Sequence, residues 1–98
     1  MDRIPNVVQA LAGENFIVYA YFDDGAIRMV DMKPLLAKGG VFTPLSDEAL
    51  FREKLTILND TVAWDMMGNR DETACIDIDP CWIYEDCTPV SDPLQETA

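Results

Sequence analysis

The stretch from Phe16 to Leu36, FIVYAYFDDGAIRMVDMKPLL, constrains the fold more than any other part of the chain. Its first seven residues are all non-polar. They predict a central strand with both faces at least partly covered, because a strand with one wet face alternates polar and apolar residues. The following Asp-Asp-Gly predicts a hairpin turn, since Gly25 supplies the positive φ that such turns need. A second strand then ends at Asp31.

Two registers are open to this hairpin. A type I′ turn has a two-residue loop, whereas a type I turn with a G1 bulge has a three-residue loop, and a slip of one residue changes which side chains share a face. The two-residue loop predicts a core face of Val18, Ala20, Phe22, Ile27 and Met29. It predicts a second face of Ile17, Tyr19, Tyr21, Arg28 and Val30. The second face is a candidate surface for an oligomer or a ligand, although the chain's own C-terminal half is an equal candidate to cover it.

The rest of the chain predicts short elements around this hairpin. Strands are expected at 7–11, 56–58, 62–64 and 74–78, and helices at 32–38, about 47–54 and 81–86. Ser46 is the expected N-cap of the second helix, and 41–45 is expected to be an extended connector. Asp79-Pro80 predicts the start of the last helix, with Asp as the N-cap and Pro at the first helical position.

These elements predict one small α+β domain over residues 1–87. Its sheet is antiparallel, with about four to five strands arranged as hairpins, and two or three short helices pack on it. Residues 66–73 are expected to form a loop. Residues 88–98 are polar and rich in proline, and they predict a frayed C-terminal tail.

Charge narrows the range of partners. The chain has 98 residues, of which 7 are basic and 18 acidic, so its net charge is −11. Direct binding of nucleic acid or of an anionic membrane is not expected, because both depend on clustered cations. A basic protein remains an eligible partner. The 3 cysteines and the absence of a secretory pattern favour a cytoplasmic protein with reduced thiols.

The sequence holds no recognisable catalytic set. It has no histidine, which excludes Ser-His-Asp and Cys-His arrangements and weakens any zinc site built on Cys75, Cys81 and Cys87. No cofactor is expected. The acidic residues Asp77, Asp79 and Glu85 offer a weak alternative metal site, but strand and capping roles explain the two aspartates more simply.

Six residues are candidates for binding: Tyr19, Tyr21, Arg28, Asp31, Trp64 and Trp82. Arg28 and Asp31 do not share a strand face, so an ion pair between them is not assured. Asp31 is instead expected to accept hydrogen bonds from the backbone of the Lys33–Leu35 turn, as a helix cap does.

The order of these features resembles the DUF2442 family of small bacterial proteins of unknown function. The resemblance rests on Phe22-Asp23-Asp24-Gly25, Arg28, Asp31, Lys33-Pro34-Leu35-Leu36, Gly40-Val41-Phe42-Thr43-Pro44-Leu45, Leu50-Phe51, Val62-Ala63-Trp64, Asp77-x-Asp79-Pro80 and Ile83-Tyr84-Glu85. It covers roughly residues 5 to 86, with residues 66–75 as an apparent insertion. It implies a small α+β fold with an antiparallel sheet and no established reaction. Some relatives carry a helix-turn-helix region, which is not expected after Tyr84 here, and some are suspected partners in toxin–antitoxin-like pairs.

The function expected from the sequence is therefore a non-enzymatic interaction module. It is expected to form a homo-oligomer, in the simplest case a dimer, through the tyrosine-bearing face, or to be the acidic partner of a basic, toxin-like protein. The alternatives are a small metal-assisted hydrolase or a small-molecule sensor that uses the Asp77/Asp79 region.

Overall fold

The computed structural model describes residues 5–68, 70 and 75–92. The strands are β1 (Val7–Ala12), β2 (Ile17–Phe22), β3 (Ile27–Asp31), β4 (Leu55–Leu58), β5 (Thr61–Trp64), β6 (Ile76–Asp77) and β7 (Thr88–Pro89). The helices are α1 (Lys33–Lys38), α2 (Glu48–Glu53) and α3 (Pro80–Asp86), and a 3₁₀ segment (Gly40–Ser46) joins α1 to α2. The α+β class with short helices and antiparallel strands is confirmed.

The strands form two antiparallel sheets rather than one. The first has the order β1-β2-β3-β7 and the second has the order β4-β5-β6. A backbone hydrogen bond of 3.0 Å from the Val7 N–H to the Asp60 carbonyl links them. Within the second sheet, the tight Asn59-Asp60 turn, with φ of 56° and 60°, closes the β4–β5 hairpin.

A single core lies between the two sheets and the helices. Its buried members are Val7, Val18, Ala20, Phe22, Val30, Met32, Leu45, Phe51, Val62, Trp64, Ile78 and Ile83. Trp64 is fully buried, and its indole N–H donates to the Phe51 carbonyl at 3.0 Å. This bond satisfies the one polar atom that such a residue brings into the core.

The β2–β3 hairpin has the three-residue loop. Tyr21 lies opposite Ile27, Ala20 opposite Arg28 and Tyr19 opposite Met29. Gly25 has a φ of +93°, and its N–H donates to the Phe22 carbonyl at 3.0 Å.

The side-chain assignment that follows from the two-residue loop is therefore wrong for β3. Arg28 and Val30 face the core side of the sheet, and Ile27 and Met29 lie beside the tyrosines. The reason is local, because the Asp24 carboxylate accepts a hydrogen bond of 2.9 Å from the Ala26 N–H and holds the longer turn.

Three further sequence predictions are corrected. The N-cap of α2 is Asp47, whose side chain accepts from the Ala49 N–H, and not Ser46. Residues 41–45 lie in the 3₁₀ segment and are not extended, because this conformation buries Leu45 completely. The prediction of a frayed tail is wrong for its described part, residues 88–92, since Thr88–Pro89 pairs with β3. Residues 93–98 lie outside the described residues.

Other local predictions are confirmed. Asp79 caps α3 through the Cys81 N–H, with Pro80 at the start of the helix. The Asp31 carboxylate accepts from the Lys33 N–H at 3.0 Å. Pro34 lies in the first turn of α1 and Gly39 ends it, with a φ of 75°. These are the positions where backbone chemistry alone dictates the residue type.

Replacement of Gly25 by valine is expected to reduce the free energy of unfolding by about 1–3 kcal/mol, because a β-branched residue is strained at this positive φ. Space is not the cause, since a Cβ at this position would meet no atom within 4 Å. Chemical denaturation measures the loss, and Gly25→Asn is the matched control, because asparagine tolerates this conformation better. Equal losses in the two variants would contradict a conformational origin.

Candidate functional site

One face of the first sheet carries apolar side chains that do not belong to the core. We call it the tyrosine face. It consists of Leu11, Ile17, Tyr19, Tyr21, Ile27 and Met29. Tyr21 is 9% exposed and the other five are half-buried. The core cluster of the described residues contains none of them. A surface of this kind is typical of a binding face, because isolated monomers seldom leave contiguous apolar side chains in water.

The strand register arranges this face in rows. Leu11, Tyr19 and Met29 lie opposite one another on β1, β2 and β3. Tyr21 and Ile27 form the next pair along β2 and β3. The first row runs across three hydrogen-bonded strands and the second pair across two, so the backbone fixes their relative positions before any partner arrives.

The chain's C-terminal segment reaches the border of the tyrosine face. Thr88 pairs with Met29, and the Tyr21 hydroxyl donates to Asp92 Oδ1 at 2.8 Å. Tyr21 thus lies at the border of the face, and its hydroxyl is already hydrogen-bonded within the chain. Tyr19 lies in the central row.

Arg28, expected beside the tyrosines, lies on the opposite side of the sheet. Its guanidinium carbon is 4.8 Å from the centre of the Tyr84 ring, and its Nε donates to the Tyr84 carbonyl at 3.0 Å. Tyr84 also packs edge-to-face against Phe22, with 5.0 Å between ring centres. These contacts hold α3 against the hairpin, so the role of Arg28 is to anchor that helix.

The Tyr84 hydroxyl completes the anchor by donating to Asp24 Oδ2 at 2.7 Å. This hydrogen bond, with a smaller effect from the Ala26 N–H, lowers the pKa of Asp24. The same bond raises the pKa of Tyr84. Both shifts have the same physical origin, since the bond exists between a neutral phenol and a charged carboxylate.

Asp31 lies at the end of β3, where a cap-like hydrogen bond and an ion pair engage it. Its Oδ1 accepts from the Lys33 N–H and lies 3.0 Å from the Lys33 ammonium nitrogen. The backbone bond is the main cause that lowers the pKa of Asp31. The Lys33 ammonium also donates to the Asn15 carbonyl, so the pair fastens the start of α1 to the β1–β2 loop.

The two tryptophans have different roles. Trp64 is fully buried, and a core residue has no surface with which to contact a partner. Trp82 is half-buried on α3 and lines a small cleft, which we call the Trp82 cleft. The cleft is lined by Met29, Asp31, Trp82, Asp86, Cys87 and Thr88, and its volume is ≈ 170 Å³. Burial, and then the charge of Asp86, raises the pKa of the Cys87 thiol to about 11.

The acidic residues considered as a metal site have separate local roles. Asp77 Oδ2 accepts from the Asn59 side chain at 3.1 Å, Asp79 caps α3, and Glu85 is exposed. In residues 5–68, 70 and 75–92, no three Asp, Glu, Cys or His side chains come together as a metal site. Residues 69 and 71–74 of the 66–75 insertion lie outside the described residues.

The candidate binding residues of the sequence analysis did not include Tyr84, Asp24 or Asp86. Tyr84 and Asp24 are 60 residues apart, and their contact depends on how α3 returns to the hairpin. No sequence spacing could indicate it. Asp86 carried a weak signal, because it follows Trp82 by one helical turn and therefore lies on the same side of α3.

The family model described as "Protein of unknown function (DUF2442)" matches residues 7–89. The chain belongs to this family. The search of the curated proteins and the search of the solved structures each found no match to this chain. Within the described residues, every helix is too short to cross a membrane.

The Tyr84–Asp24 bond makes a testable contribution to stability. A lowered folded-state pKa, as for Asp24, gives stabilisation that is present above the unfolded value of about 3.9 and is lost as the pH falls through the folded pKa. A raised pKa, as for Tyr84, gives stabilisation that is present below the unfolded value of about 10 and is lost as the pH rises through the folded pKa. The destabilisation caused by Tyr84→Phe is therefore expected to be largest near neutral pH and to shrink at both extremes.

Urea denaturation across the pH range measures this difference. Tyr19→Phe is the control, because the Tyr19 hydroxyl makes no hydrogen bond within the described part of the chain. A Tyr84→Phe loss that stays constant with pH would show that the phenol–carboxylate bond is not its source.

Proposed function

We propose that this protein is a non-enzymatic interaction module that self-associates through the tyrosine face. The observation that supports the proposal is a fixed, three-stranded apolar surface whose side chains lie outside the core. Catalysis would need convergent polar groups in a pocket. Four of the aspartates are instead engaged in turn and capping contacts: Asp24, Asp31, Asp47 and Asp79.

The chemistry of the face favours a second copy over a charged ligand. Its central row, Leu11, Tyr19 and Met29, is uncharged and spans neighbouring strands. Two such rows related by a twofold axis would bury apolar surface on both sides, and tyrosine and methionine are common at interface centres. The acidic residues Asp31 and Asp92 lie at the border, where solvent and counterions remain accessible.

A glutamate in the central row is expected to prevent self-association. Leu11→Glu should raise the dimer dissociation constant by at least about tenfold, or ~1.4 kcal/mol, because a charge would be buried without a partner. Sedimentation equilibrium measures the constant, and circular dichroism shows that the fold is retained. The matched control is Met67→Glu, which adds the same charge at a position that is 70% exposed and outside the face. A wild-type chain that stays monomeric at all concentrations would overturn the proposal.

Salt is expected to strengthen the dimer. Each copy carries a net charge of −11, so association brings like charges together, and added salt shortens the screening length from about 30 Å at 0.01 M to about 10 Å at 0.1 M. The same sedimentation experiment at several sodium chloride concentrations tests this. A dimer that weakens with salt would indicate that ion pairs, rather than the apolar rows, hold the two copies together.

A further inference from the structure

The Trp82 cleft combines an aromatic wall with negative charge. Trp82 lines it from α3, and Asp31 and Asp86 line it from β3 and the end of α3. Asp31 already has Lys33 as a partner. Asp86 makes no hydrogen bond or ion pair within the described residues, so its charge is uncompensated there.

The size of the cleft limits what can enter it. Its volume of ≈ 170 Å³ is below the roughly 300–1,000 Å³ of sites that enclose a whole small molecule. The volume of a single side-chain head group is of the same order as that of the cleft. An aromatic wall beside carboxylates selects a cation, and a planar guanidinium suits it best, because the guanidinium can stack on an indole and pair with a carboxylate in the same pose.

The surroundings of the cleft also favour a cation from outside the chain. Every lysine and arginine of the chain lies at or before residue 70, so α3 and the segment that follows it contain no cation of their own. Nearby, Arg28 already lies against the ring of Tyr84 on the same helix. The protein thus uses an arginine–aromatic contact internally, at Tyr84, two residues after Trp82 on α3.

We propose that the Trp82 cleft binds an arginine side chain presented by a basic protein partner. The guanidinium stacks on Trp82 and pairs with Asp86. A protein, rather than free arginine, is the favoured source because the cleft holds only a head group and the net charge of −11 attracts a basic surface as a whole. The inference does not rest on self-association. Met29 belongs to both surfaces, but the Leu11→Glu chain retains every residue that lines the cleft.

The test is a titration of the full chain with a short peptide, acetyl-Gly-Arg-Gly-amide, followed by NMR at the Trp82 indole N–H. Trp82→Phe assigns that signal. A saturable shift is expected with the arginine peptide and none with its citrulline counterpart, which has the same shape without the charge. Leu11→Glu is titrated in parallel, so that a failure of peptide binding at the cleft and a failure of self-association are separate results.

Two matched variants decide whether the cleft itself is responsible. Asp86→Asn should bind the arginine peptide roughly twofold to fivefold more weakly, the range expected when one exposed ion pair is removed. Glu85→Gln removes the same charge from a neighbouring residue that does not line the cleft, and its affinity should match that of the unaltered chain. Equal losses in both variants, equal binding of citrulline, or no saturable shift would overturn the proposal. Tighter binding of free arginine than of the peptide would overturn the assignment to a protein partner.

Discussion

The register of the β2–β3 hairpin determines most of this structure. The Asp24 carboxylate and the positive φ of Gly25 close a loop of three residues, and the length of that loop decides which side of β3 faces inward. With this register Val30 enters the core, and Met29 joins the half-buried rows of the tyrosine face. A loop shorter by one residue would exchange the two sets, because side chains alternate along a strand. Asp24 also accepts the Tyr84 hydroxyl, so one carboxylate both closes the turn and holds the last helix.

Both faces of β2 are apolar, but they have different partners. The Val18, Ala20 and Phe22 side is covered by the rest of the described chain and forms the core with Trp64 and Phe51. The Tyr19 side has neighbours within its own sheet and no member in that core. A strand that is non-polar on both sides usually lies between two layers. Here the chain supplies one layer to the core, and we propose that a second copy supplies the other.

Features governed by nearest-neighbour chemistry could be predicted from the sequence. The Asp79-Pro80 helix start, the Asp31 contact with the Lys33 backbone and the turn at Gly25 each depend on a few adjacent residues. Ser46 and Asp47 show the limit of this approach, because both residue types are good N-caps and the structure uses the second. The division into two sheets and the inward position of Arg28 depend on packing between distant segments, which spacing along the chain does not encode.

The candidate site was predictable only in part. Tyr19 was assigned to the correct face, since its position relative to Val18 and Ala20 does not depend on the hairpin register. Trp82 lines a cleft as a binding residue would, but Trp64 fills the core instead. The two aromatic residues look alike in the sequence, and their burial differs because β5 is interior while α3 lies at the border of the first sheet.

The short pairing of β7 with β3 has a consequence for assembly. A sheet edge with free backbone donors and acceptors is a template on which other chains add as strands, and natural sheets block such growth with short edges and proline. Strand β7 has two residues, and Pro89 has no N–H to offer an incoming strand. Edge-to-edge polymerisation, the common route to fibrillar aggregates, is therefore disfavoured at this edge, and contacts through the faces of the sheet can give closed assemblies of defined size.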